Sequence, residues 1–286
     1  MSQRMAPASV KSTPVLFDRA LLCARQARAR RLGEVTFLFD RVAEDLADRL
    51  AAVTRGFADA ADIWSPDEAL RPPLAGRFKS VTRIAPDSGS EVLPLQPETI
   101  DLAVSALAFQ FVNDLPGVLA QIRRALRPDG LLLAAMLGGD TLTELRQSFA
   151  AAEAECEGGV SPRVAPSADL RDIGQLLPRA GLALPVTDVD RVTVRYDNAF
   201  ALMQDLRRMG ATNILIERRR KPTRRATLLR MAQVYGERFA DPDGRIRATF
   251  DIVWLSAWAP HESQQQPLRP GSAKASLEAA VRNVKR

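Results

Sequence analysis

The amino-acid sequence predicts an α/β chain: a mostly parallel sheet with crossover helices, prefaced by helices and closed by antiparallel strands. Three observations carry this reading. From Phe57 onward, short apolar runs alternate with stretches of helical period, the pattern of β–α–β units. Before Phe57, two segments repeat their apolar residues three and four apart, with charged residues between them. Toward the C-terminus, two longer stretches alternate apolar with polar residues, as edge or antiparallel strands do.

Each element follows in order. Residues 15 to 31 place Leu16, Phe17, Ala20, Leu21 and Ala24 on one helical stripe. A second helix is expected from Phe39 to Thr54, with Val42, Leu46 and Leu50 four apart. Strands are expected at Ala58 to Ile63, Phe78 to Ile84, a short one around Val92, and Ile100 to Leu107. Leu115 to Leu126 reads as a helix stopped by Arg127-Pro128-Asp129-Gly130, because Pro cannot continue it and Gly supplies the turn. Leu131 to Leu137 reads as a buried strand ending at Gly138-Gly139. Asp140 or Thr141 is then expected to cap a helix from Leu142 to Glu155, with Glu144 completing a capping box. Ser161 to Pro166 is a Pro-rich loop. Helices follow at Asp169 to Ala180, Phe200 to Met209 and Arg224 to Phe239, the first two ended by Gly181 and Gly210. Val186 to Val194 and Ile246 to Ala259 alternate and close the sheet. Five β–α steps followed by an antiparallel pair fit a Rossmann-like class I methyltransferase sheet better than a dinucleotide dehydrogenase, which carries a second parallel half. The division is an N-terminal helical extension over 1–55, a methyltransferase-like domain with C-terminal helical insertions over 56–260, and a tail over 261–286.

Composition narrows the chemistry. The chain has 286 residues, 46% hydrophobic and 26% charged, long enough for one large α/β domain. No apolar run approaches the ~20 residues of a membrane span. Residues 1–14 lack the apolar core of a secretory signal, so a cytoplasmic location is expected. Cys23 and Cys156 are the only cysteines and His261 the only histidine, too few for a disulfide framework, a zinc cage or a Ser-His-Asp triad. No metal site is expected. The net charge of +6 is Arg-rich and gathered in two runs. One holds Arg25, Arg28, Arg30 and Arg31; the other holds Arg218, Arg219, Arg220, Lys221, Arg224 and Arg225. No aromatic interleaving or RNA-binding motif accompanies them, so they read as solvated faces and nucleic acid is not expected as a partner.

Several stretches carry a family resemblance over nearly the whole chain. They are Phe17-Asp18-Arg19, Ile100 to Pro116 (IDLAVSALAFQFVNDLP), Leu126 to Gly130 (LRPDG) and Met136 to Arg146 (MLGGDTLTELR). Gly158 to Pro162, His261-Glu262-Ser263-Gln264 and Gly271-Ser272-Ala273 complete the set. Together these resemble the NADH:ubiquinone oxidoreductase complex assembly factor 5 family and, more distantly, malonyl-carrier-protein O-methyltransferases. The resemblance implies a fold built to bind S-adenosylmethionine, a role in maturing respiratory complex I, and a protein partner such as a complex I subunit or a paralogue.

The resemblance also maps a site. Asp62 keeps the acidic end of the first strand, but Trp64, Pro66 and Glu68 stand at the three positions of the glycine-rich turn. An indole fills space meant for the ligand's methionine moiety, and Pro66 lacks an amide and fixes φ. Arg83 ends the second strand, where the family has an acidic residue for the ribose hydroxyls; a guanidinium only donates. Glu91 sits where the family often places an acidic residue facing adenine, with a solvent-facing position at a strand edge as the alternative. Ser105 and Leu107 end the fourth strand, and Gln110 and Phe111 replace a His and a Trp of the family. Gln110 is no base at neutral pH. Gln110, Phe111, Gly138, Gly139, Asp140, Glu144 and Arg146 are candidate substrate-side groups, with a core position for Phe111, and a helix cap and an intrahelical ion pair for the last three, as the alternatives. The expected function is a methyltransferase-like protein, a pseudoenzyme that has lost or weakened S-adenosylmethionine binding and acts as a scaffold. The alternative is an active methyltransferase with an altered pocket.

Overall fold

The computed structural model describes residues 15–66, 70, 74–87 and 89–265. Glu68 and the tail beyond Gln265 lie outside the described residues. Helix α1 (Arg19–Leu32) begins where the Asp18 side chain accepts from the Leu21 amide. The expected stripe therefore starts later than Leu16: Phe17 instead bridges to Leu215, and the Asp18 amide donates to the Ile214 carbonyl. Helix α2 (Phe37–Ala51) buries Leu38, Val42, Leu46 and Leu50, one stripe at four-residue spacing.

The sheet is built from β1 (Asp59–Ile63), β2 (Ser80–Ile84), β3 (Ile100–Ala106), β4 (Leu126–Gly138), β5 (Ala183–Tyr196) and β6 (Ile246–Trp258), in the order β2-β1-β3-β4-β6-β5. The first four are parallel. β6 runs antiparallel to both β4 and β5. The remaining helices are α3 (Leu115–Ala125), α4 (Thr143–Glu157), α5 (Leu170–Arg179), α6 (Ala199–Arg208) and α7 (Arg225–Phe239). This is the expected mixed α/β, Rossmann-like architecture.

Strand alternation divides the core into two layers. On β4, Leu131, Leu133 and Ala135 join one cluster with α2, α4, α6 and α7. Leu132, Ala134 and Met136 join the other with α3 and α5. A strand buried on both faces reads as a continuous apolar run, which is why LLLAAML lacks visible alternation. β5 is the edge strand and alternates between half-buried and exposed. Its Asp188 and Asp190 bind Arg49 and Arg41 of α2 at 3.0 and 2.8 Å, so α2 is tied to the sheet by charge as well as by packing.

Three local expectations are corrected. No strand forms around Val92; Val92 is exposed while Leu93 and Leu95 are buried. The alternation is present, but a side chain replaces the missing neighbour strand: Gln121 accepts from the Leu93 amide at 2.8 Å and donates to the Glu91 carbonyl at 3.1 Å. Arg127-Pro128-Asp129-Gly130 ends α3 as expected but lies within β4 as an irregularity, with Asp129 at φ 63°. α4 has no capping box: it starts after Leu142 at φ 54°, and Glu144 turns away to accept from the Thr249 amide and hydroxyl.

The buried carboxylate of Glu153 organises the loop after α4. It accepts from the Ser161 amide at 2.7 Å, the Ser161 hydroxyl at 2.8 Å and Arg163 Nε at 2.7 Å. Burial alone would raise its pKa, but these donors outweigh burial and hold it below the usual glutamate range. The contribution is therefore present above the unfolded-state value and lost as pH falls through the folded one. Glu153→Gln is expected to cost about 2 kcal/mol at pH 7. Urea unfolding at pH 7 and below pH 4 should show the gap between wild type and variant narrowing in acid.

Candidate functional site

In open α/β sheets, ligands lie beyond the carboxyl ends of the strands. At the end of β1, Trp64 takes φ 59°, the left-handed conformation that favours glycine. The turn expected of a glycine is thus kept, with an indole attached. That indole is only 3% exposed and packs among Ile84, Leu93 and Phe109. The Trp64 amide already donates to the Ile84 carbonyl at 2.9 Å, and Pro66 has no amide. The Ser65 hydroxyl accepts from the Ala106 amide, and Ser105 donates to the Ile63 carbonyl. The polar groups at the tips of β1 and β3 are therefore bonded to each other. Leu107 is buried behind them, at φ 50°.

Asp62 is the exception. It is 4% exposed, and its Oδ1 has no partner among the described residues. Burial pushes its carboxyl up, offset only in part by Ser65 and by Arg83, its register partner on β2. Arg83 also reaches the Ser65 carbonyl at 3.4 Å.

The N-terminal segment closes this crevice from above. The Arg19 guanidinium lies 4.8 Å over the Trp64 ring, donates to the Asp87 carbonyl at 3.1 Å and pairs with Glu91 at 3.3 Å. Glu91 also accepts from the amides of Asn113 and Asp114 at 2.8 and 2.9 Å. Asn113 in turn accepts from the amides of Leu16 and Phe17. The Glu91 carboxylate therefore holds protein groups rather than facing open space.

At the end of β4 the glycines serve close packing. A Cβ on Gly138 would come within 2.6 Å of Val253 Cγ2, and one on Gly139, at φ 52°, within 2.5 Å of Asp251 Oδ2. Asp251 accepts from the Asp140 amide, and Arg191 bridges Asp140 and Asp251 at 2.7 Å each. Asp140 is thus part of a clamp across β4, β5 and β6. The intrahelical ion pair of the alternative reading does not form among the described residues, since Glu144 faces Thr249; Arg146 Nε is buried with no partner among them. His261 is exposed and contacts Ser263.

Beside the closed crevice lies an open cleft of about 780 Å³. Its walls come from α1, α4, α6, the 162–167 loop and the 209–223 segment. Of the site residues expected from sequence, only Gln110 and Phe111 line it. Gln110 spans the sheet edge, donating to the Leu107 carbonyl at 2.6 Å and accepting from the Leu137 amide at 3.3 Å. Phe111 stands edge-on to Phe17. The arginine runs, expected as solvated faces, partly turn inward instead: Arg25 lines the cleft from α1, and Arg218 and Arg219 from the segment before α7. Among the described residues, no group of three or more His, Cys, Asp or Glu side chains could hold a metal ion, and no helix is long and apolar enough to cross a membrane.

A family model for a methyltransferase domain matches residues 74–134. The solved YcgJ protein of Bacillus subtilis superposes with a TM-score of 0.52 at 11% identity, covering 77% of this chain and 99% of that one, a likeness of fold. The human protein named arginine-hydroxylase NDUFAF5, mitochondrial, is 38% identical over 284 residues, spanning 92% of this chain and 82% of the human protein. The chain belongs to the NDUFAF5 family. The malonyl-[acyl-carrier protein] O-methyltransferase of Xylella fastidiosa strain M23 is 32% identical over 255 residues, covering 85% of this chain and 83% of that one.

For this NDUFAF5-family member, the sequence placed the Trp64 indole in the crevice but not the Arg19 guanidinium over it. Arg19 was visible only as part of a motif; nothing in its local sequence announced a stack on Trp64, 45 positions on. Arg207 and Arg208 carried no signal beyond the general excess of Arg.

Two expectations follow for the NDUFAF5-family crevice. Trp64→Gly relaxes the left-handed backbone, a gain of ~1 kcal/mol, but removes a buried indole, a loss of ~3–5 kcal/mol. A net destabilisation of about 3 kcal/mol by denaturant unfolding is expected; a stabilised variant would contradict the packing described. Asp62 has a raised folded pKa, so its contribution is present below the unfolded value and declines as pH rises through the folded one. The stability of Asp62→Asn relative to wild type should therefore improve between pH 4 and pH 7, read by urea midpoints at both.

Proposed function

We propose that this chain is a methyltransferase-like protein in which S-adenosylmethionine binding is lost or strongly weakened, and that it works as a binding or scaffold partner in the maturation of respiratory complex I. The carrying observation is the buried Trp64 indole at the β1 turn with the Arg19 guanidinium over it. A cofactor of this size needs free backbone amides at that turn and an acceptor for its ribose. Here the Trp64 amide is used, Pro66 has none, Arg83 only donates, and Glu91 is occupied by Arg19 and two backbone amides. On this reading Asp62, Trp64, Arg83, Glu91, Ser105 and Leu107 form a filled remnant of the crevice.

The partner under this proposal is a protein, either a complex I subunit or an intact paralogue. The human relative's name attaches arginine hydroxylation; the proposal takes the protein partner from the family and leaves that chemistry with the relative. A cytoplasmic location belongs to the same proposal, whereas the human relative is named mitochondrial.

One observation favours the second reading, an active methyltransferase with an altered pocket. The unpartnered Asp62 Oδ1 is a buried acceptor of the kind that a ligand's donor satisfies.

A thermal-shift titration separates the two. A ligand at a hundred times its dissociation constant adds about 2.7 kcal/mol to native stability. No shift with millimolar S-adenosylmethionine or S-adenosylhomocysteine is expected. A dose-dependent rise would overturn the loss of S-adenosylmethionine binding and favour the second reading.

A further inference from the structure

The open cleft has an unusual charge inventory. Its lining includes six arginines (Arg25, Arg163, Arg207, Arg208, Arg218 and Arg219) and not one Asp or Glu. Three of these have a carboxylate partner outside the lining: Arg163 with Glu153, Arg218 with Asp18 and Arg219 with Glu157. The other three have none among the described residues. Arg25 donates to the Asn213 carbonyl and Arg208 to the Gly33 carbonyl, while the Arg207 side chain has no hydrogen bond or ion pair among the described residues. Burial, together with the like charges of Arg218 and Arg28, holds the Arg25 guanidinium below its ordinary value. Asp18 offsets that repulsion only in part, and like charges gathered along a concave wall favour a bound anion.

Two further polar atoms await a partner. Thr212 Oγ1 and Arg219 Nε are buried with none among the described residues, and both residues line the cleft. The lining also has an apolar side, formed by Leu142, Leu145, Phe149, Phe200 and Met203. The volume of about 780 Å³ lies within the roughly 300–1,000 Å³ of small-molecule sites.

We propose that this cleft binds an amphipathic organic anion, its apolar body against the Phe149–Phe200–Met203 side and its acidic head, a phosphate or carboxylate, among Arg25, Arg207 and Arg208. Guanidinium groups suit both heads because their paired donors match two oxygens at once. The site does not depend on the nucleotide crevice, since none of Asp62, Trp64, Arg83 or Glu91 lines it. The inference therefore stands or falls separately from loss of S-adenosylmethionine binding.

Calorimetric titration of the full chain, below micelle-forming concentrations, tests it with four probes: dodecyl phosphate, dodecanoate, dodecanol and inorganic phosphate. At least one of the two anionic chains should bind ten-fold or more tighter than the alcohol and than inorganic phosphate. The stronger of the two identifies the head group. Arg25→Gln should weaken that anion by ten-fold or more and leave dodecanol unchanged. Because Arg25 also contacts Asn213, Arg207→Gln serves as the second variant: Arg207 is exposed and its side chain has no hydrogen bond or ion pair among the described residues, and the same selective weakening is expected. Equal binding of alcohol and anions, no binding by either anion, or wild-type anion affinity in Arg207→Gln would each overturn the proposal.

Discussion

A single carboxylate, that of Glu91, governs the shape of the ligand edge of this sheet. It accepts two backbone amides at the start of α3 and a guanidinium from α1. Charge-assisted bonds of this kind are roughly twice as strong as neutral ones, and three converge on one group. The first two fix the turn that precedes α3, where Asn113 receives the incoming N-terminal segment. The third lays Arg19 across Trp64. The closure of the crevice, the path of the chain into α1, and hence one wall of the open cleft all follow from this placement.

The two halves of the site are electrostatic opposites. In the crevice most charged groups are answered from within the protein, Asp62 Oδ1 and Arg19 Nη2 being left without a hydrogen bond among the described residues, and the space is filled by an indole and a guanidinium. In the cleft the arginines outnumber their answers, and the space is open. Both arrangements come from α1: Arg19, at its first residue, faces the crevice, while Arg25, two turns further on, faces the cleft. The filling of the crevice and the lining of the cationic cleft are thus coupled through the orientation of one helix. That helix is held by hydrogen bonds at its N-terminal approach rather than by a continuous apolar stripe, which explains why its apolar pattern misjudged where it starts.

Much of the fold was legible because its signals are local. Leu131 to Leu137 reads as a buried strand and Val186 to Val194 as an edge or antiparallel strand, and both form. The glycines at 138 and 139 were visible as a break, though their reason, the approach of Val253 and Asp251 from β6, was not. The strand expected around Val92 shows the limit of periodicity. Alternation reports which side chains are covered, and Leu93 and Leu95 are covered; it does not report whether a neighbouring backbone exists to pair with. Gln121, 28 residues away from Leu93, fills that need with a side-chain amide, and no pattern around Val92 encodes it.

By itself the sequence determined the α/β class, the family, and the loss of glycine at the β1 turn, because residue type alone decides whether a backbone amide is available and whether a Cβ is present. Only the tertiary structure decided what those changes produce. Whether Trp64 points inward, whether Arg19 covers it, and whether Arg25 faces Arg218 or water depend on contacts between segments 45 to almost 200 residues apart in the chain. Such contacts are set by the packing of whole elements against one another, and they leave no periodicity in any one of them to read.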